Sequence, residues 1–74
     1  MHPSPMTPED WLLTLFNDRS ACRGNIVERS VRDIDMFVGR ARFERELVRR
    51  GYQAVENAGQ IVVFCNREPI RRIT

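Results

Sequence analysis

The stretch YQAVENAGQIVVFC, residues 52–65, constrains the fold of this chain more than any other. Two apolar, largely β-branched runs flank ENAGQ, which is the pattern of a β-hairpin. A three-residue loop with Gly59 in the left-handed region and a G1 bulge suits that segment. It pairs Glu56 with Gln60, Val55 with Ile61, Ala54 with Val62 and Tyr52 with Phe64. The second strand is apolar on both faces, with Val62 and Phe64 on one and Ile61 and Val63 on the other. One face must cover helices. The other needs the N-terminal helix, the last strand or another molecule. The first role is assigned to Val62 and Phe64. An intermolecular interface is assigned to Ile61, Val63 and Val55.

Three helices are expected ahead of the hairpin. In TPEDWLLTLF, Thr7 is a good N-cap, Pro8 suits the first helical position, and Glu9 and Asp10 favour the positive end of the helix dipole. Trp11, Leu12, Leu15 and Phe16 recur at helical spacing, so the first helix spans about residues 8–18. NIVERSV predicts a short strand near residues 25–29. Ser30 then caps a second helix, with Asp33 three residues on. Val31, Ile34, Phe37 and Val38 share a face of that helix, and Gly39 ends it. The third helix covers about residues 40–50 and stops at Gly51. After the hairpin, Pro69 breaks the chain before an edge strand from Ile70 to Ile73. These spacings converge on one core of Trp11, Leu15, Phe16, Ile34, Phe37, Phe43, Leu47, Val62 and Phe64. The fold class is α+β.

That core belongs to a chain of 74 residues. The tail at 1–6 is expected to be disordered, with 7–74 as one small domain, and Met6 is a second candidate start. Below roughly 80 residues a single core supplies only a few kcal/mol. A two-sided apolar strand in so short a chain therefore predicts self-association, most simply a homodimer.

Charge is unevenly placed. Residues 19–50 carry nine arginines against five acids, while residues 1–18 carry three acids and no base. Five of the arginines lie between Arg40 and Arg50. At 100° per residue, Phe43 and Leu47 face the core while Arg42, Arg45 and Arg49 form a stripe on nearly the opposite side, with Arg40 and Arg50 flanking the core face. Ala41 and Val48 make a narrow second apolar strip. Glu44 and Glu46 temper the stripe. Arg40–Glu44, Arg42–Glu46 and Glu46–Arg50 are all spaced for i,i+4 pairs. All twelve basic residues are arginine, which matches the codon bias of a GC-rich genome, and the net charge is only +2.

Chemistry-bearing sets are missing. Histidine occurs once, as His2 in the tail, so there is no Ser/His/Asp arrangement. The four glycines are isolated, which excludes a phosphate loop of the usual pattern. Cys22 and Cys65 have no nearby histidine and cannot form a four-ligand zinc site. Two buried thiols in a reducing cytoplasm are the expectation. The lesser alternative for Cys22 is a reactive thiol, its pKa lowered by Arg19 and Arg23. Asp33 and Asp35 point to different faces of the second helix, so they form no dyad. No enzyme and no cofactor is expected. No apolar run is long enough to span a membrane.

The order helix, short strand, helix, helix, hairpin resembles the winged helix-turn-helix family over about residues 7–66. SVRDIDMFVG is similar to the second helix of such domains, with Gly39 at the turn. RARFERELVRRGY is similar to the recognition helix, and the hairpin to the wing. The resemblance implies duplex DNA as partner, contacted by Arg42, Arg45, Arg49 and Arg40. Two features depart from it: the third helix is short, and the wing tip ENAGQ carries one acid and no base. The other function class is a protein-interaction module using the exposed side of the hairpin. The segment GRARFERELVRRGYQAVENAGQIVVFCN is also similar to short bacterial proteins, some labelled N-(5′-phosphoribosyl)anthranilate isomerase. That enzyme is a (β/α)₈ barrel of at least about 200 residues. Seventy-four residues cannot build one, so the label implies no chemistry here.

Overall fold

A computed structural model describes residues 7–17 and 26–74. The elements run α1 (Pro8–Phe16), β1 (Ile26–Ser30), α2 (Val31–Phe37), α3 (Arg40–Arg50), β2 (Gln53–Asn57) and β3 (Gln60–Phe64). Three helices and a three-stranded antiparallel sheet of order β1-β3-β2 make a small α+β fold. The tail at 1–6, with His2 and Met6, lies outside the described residues, as do Arg19, Cys22 and Arg23. No helix among the described residues is long and apolar enough to cross a membrane.

Local chemistry sets the helix boundaries. The Thr7 hydroxyl accepts from the Asp10 amide at 3.0 Å, the Asp10 carboxylate accepts from the Thr7 amide, and Pro8 occupies the first turn. This reciprocal box satisfies amides that a helix start leaves unpaired. Ser30 ends β1 and caps α2 at once, its hydroxyl accepting from the Asp33 amide at 3.1 Å. Only Val38 and Gly39 separate α2 from α3. Gly39 takes φ 94°, a left-handed value that side chains resist, so the chain can reverse in two residues. Gly51 closes α3 in the αL conformation, its amide donating to the Leu47 and Val48 carbonyls.

The hairpin differs from the expectation by one residue, and the buried face of its second strand is the other one. Asn57 pairs with Gln60, Val55 with Val62 and Ala54 with Val63. The turn is the two residues Ala58 and Gly59, both at positive φ (51° and 75°), which is the type I′ geometry. Ile61 and Val63 are buried at 3% and 2% exposure, while Val62 and Phe64 lie half-buried on the opposite face. The expected interface residues Ile61 and Val63 are core residues, and the expected core residues Val62 and Phe64 are not. A strand's side chains alternate, so the one-residue step moves Ala54 and Glu56 of β2 onto the face of Ile61 and Val63, and Val55 onto that of Val62.

The core joins Leu12, Leu15 and Phe16 of α1, Val27 of β1, Ile34 of α2, Phe43 and Leu47 of α3, and Ile61, Val63 and Cys65. Phe16 sits between Phe43 and Tyr52, with ring centroids 6.2 and 5.6 Å away. Trp11 packs against the core's margin, stacked at 5.9 Å on Phe37, which is itself exposed. Phe37 was expected inside. It lies at the end of a helix of only seven residues, past the turn that Ile34 buries. The expected edge strand from Ile70 to Ile73 does not form. Residues 65–74 are irregular, held by a hydrogen bond from the Gln53 side-chain amide to the Glu68 carbonyl.

Candidate interaction surface on α3 and the hairpin edge

The arginine-rich helix forms where it was expected, and its charges are largely taken up within the molecule. The Arg40 guanidinium donates to Glu44 at 2.8 Å and to Glu56 of β2 at 2.7 Å. Arg42 reaches across to Glu9 of α1 at 3.0 Å, rather than to Glu46. Glu46 instead receives Arg49 and Arg50, each at 2.5 Å. Arg50 also lies over the Phe16 ring, 4.9 Å from its centroid, so it serves the core. The hydrogen bond from Arg49, with that from Arg50, holds the Glu46 carboxyl below the usual range. Glu56 and then Glu44 raise the Arg40 pKa. Of the expected DNA-contacting set, Arg45 makes no ion pair or hydrogen bond among the described residues. It is exposed.

A different feature lies on the other flank of α3. A groove of about 310 Å³ runs between α3 and the hairpin, lined by Phe43, Leu47, Val48, Ala54, Val55 and Ile61, with Arg40, Glu44 and Glu56 at its rim. Val48 is 79% exposed and Val55 41% exposed. Val55 is the one residue of the expected interface that remains at the surface. Val48 and Ala54 join it and were not assigned a role from sequence. The signal was present, since Val48 belongs to the second apolar strip of α3 and no core position requires it.

β2 is an edge strand. In a two-residue hairpin, Asn57–Gln60 is a hydrogen-bonded pair and the pattern alternates from there. The N–H and C=O groups of Ala54 and Glu56 consequently point away from β3, and no backbone bond among the described residues reaches them. The other edge is guarded. β1 carries Glu28 and Arg29, both exposed, and the Arg29 guanidinium binds the Glu28 carbonyl at 2.6 Å. By the same alternation that carbonyl points outward from the sheet. Charged residues are a common device for blocking an edge. The only acid on β2 is Glu56, and Arg40 neutralises it.

Asp33 is a capping position and Asp35 is exposed. Among the described residues no group of three His, Cys, Asp or Glu side chains could hold a metal ion. The chain matches no family model, no curated protein and no solved structure.

Proposed function

We propose that this protein is a small protein-interaction module whose docking element is the free edge of β2 beside the α3 groove. The observation that carries the reading is an unguarded edge strand with exposed apolar side chains on both sides of it, Val48 across the groove and Val55 on the outer face, while four of the five α3 arginines pair with Glu9, Glu44, Glu46 and Glu56. An extended segment adding to the edge would gain main-chain hydrogen bonds from Ala54 and Glu56. Alternate apolar side chains would supply specificity through the groove. Selection of displayed peptides against the protein tests this, with a Val48→Glu/Val55→Glu variant as counter-target. The expected result is enrichment of extended, alternating apolar sequences that do not bind the variant. Absence of any enrichment, or binding indifferent to the variant, refutes the reading.

A second reading is duplex DNA binding by α3. It is favoured by the order helix, strand, helix, helix, hairpin and by the exposed, unengaged Arg45. Phosphates would have to displace exposed glutamates from Arg40 and Arg42, pairs that are weak in water, and the mostly buried Glu46 from Arg49. With Arg42, Arg45 and Arg49 each on a phosphate, the slope of log affinity against log salt would include about −2.7 from these residues. A titration against duplex DNA at two salt concentrations decides it: no salt-dependent binding at low ionic strength removes this reading.

A further inference from the structure

We infer that the segment taken up by the β2 edge is β2 of a second copy, in an antiparallel register centred on Val55. This rests on the interaction-module reading and names its partner. The strand is self-complementary about that point. Outward N–H and C=O groups occur at Ala54 and Glu56, one residue to either side of Val55. A two-fold axis at Val55 sets Ala54 of one copy opposite Glu56 of the other, and the reverse. Every outward backbone group of the middle of β2 then has a partner, four hydrogen bonds in all by the antiparallel pattern. Val55 meets its own symmetry mate as a non-hydrogen-bonded pair, the closer type, with Cα atoms about 4.5 Å apart. That pair covers a valine that is 41% exposed in the single chain.

The side chains agree with the register. On the helix-facing side, the small Ala54 stands opposite Glu56 of the mate, leaving room for a carboxylate. That carboxylate arrives already bound to Arg40 at 2.7 Å, so the two Glu56 side chains do not face each other as bare charges. Val48, 79% exposed on the α3 wall of the groove, adds apolar surface on this side of the sheet. Neither condition holds at the β1 edge, where Glu28 and Arg29 are exposed and Arg29 occupies an outward carbonyl. The product is one six-stranded sheet with β2 strands at its centre and guarded β1 strands at its ends. Such an isologous contact closes on itself and does not propagate into fibres.

Two single variants and their mixture test the register. Val55→Lys and Val55→Glu each place like charges side by side at the dyad, where they are destabilising. Mixed, they place Lys opposite Glu. By sedimentation equilibrium at about 100 μM, the wild type is expected at twice the 8.7 kDa chain mass and each variant at the single mass. The equimolar mixture is expected to return to the double mass. Amide hydrogen exchange supplies the positional readout, with Ala54 and Glu56 protected in the wild type and at least tenfold faster in either variant. Unchanged far-UV circular dichroism of the variants shows that the hairpin persists. A wild-type monomer overturns the inference, as does a dimer whose Ala54 and Glu56 amides exchange at the variant rate. A monomer that still selects edge-binding peptides refutes only the identity of the partner. A monomer that selects none refutes the interaction reading as well.

Discussion

The Arg40 Nη2 atom lies 2.7 Å from Glu56 Oε1, joining the first residue of α3 to the edge strand sixteen positions later. The contact links the hairpin to the helix and offsets the one charge that would otherwise guard the β2 edge. Both side chains are close to half exposed, so the pair stabilises the fold little. Arg40→Ala is expected to leave the thermal midpoint within error of wild type. Self-association should weaken by about tenfold or more, since the Glu56 charges at the rim would lose their compensation. Sedimentation of the variant over a concentration series measures this, and an unchanged dimer constant would mean that Arg40 plays no part at the edge.

The two faces of β3 should answer differently to truncation. Ile61→Ala removes a core side chain that is 3% exposed and should cost about 2–5 kcal/mol. Val62→Ala, on the half-buried outer face, should cost under about 1.5 kcal/mol. Urea unfolding compares them directly. Equal losses, or the reverse order, would contradict the placement of Ile61 in the core.

Ala58 carries φ 51°, the only positive φ outside glycine among the described residues. An L side chain in the left-handed region costs about 1–2 kcal/mol, and asparagine tolerates that conformation better than alanine. Ala58→Asn creates the Asn-Gly pair that type I′ turns favour, so a gain of about 0.5–1 kcal/mol is expected. Gly59→Ala, at φ 75°, should lose about as much or more. Chemical denaturation of the two variants provides the check, and a destabilised Ala58→Asn would contradict the turn assignment.

Acid stability should depend on Glu46. Hydrogen bonds from Arg49 and Arg50 lower its pKa in the fold, while the unfolded chain titrates near the ordinary glutamate value of about 4.3. A depressed folded-state pKa contributes stability that is complete above the unfolded value. It is lost as pH falls through the folded one. The window is therefore pH 4.3 and below. Glu46→Gln should bring stability at pH 7 closer to its value at pH 3, flattening the acid limb of a denaturation series. An acid limb identical to wild type would assign the loss to other carboxylates.

The candidate site was only partly legible in the sequence. The helix bounded by Gly39 and Gly51, its Phe43/Leu47 core face and the outward Arg45 follow from 3.6-residue periodicity alone, and the structure has them in those places. The pairs Arg40–Glu44 and Glu46–Arg50 follow from i,i+4 spacing. Arg42 could not be placed that way. Two acids compete for it, and the approach of α1, which brings Glu9 to 3.0 Å, is a packing result.

By itself the sequence determined the order of elements and most of their ends, because caps, glycines and hydrophobic spacing act within a few residues. Tertiary structure alone decided which face of β3 is inside. Both faces are apolar, so hydrophobic pattern carries no preference, and the outcome is set by which face the helices cover. That choice is made where the helices close over Ile61 and Val63. It leaves Val62 and Phe64 on the outer face, and the two-residue turn at Ala58 and Gly59 leaves Ala54 and Glu56 with their backbone groups outward on an open edge. The edge is a property of strand order, which no local spacing encodes.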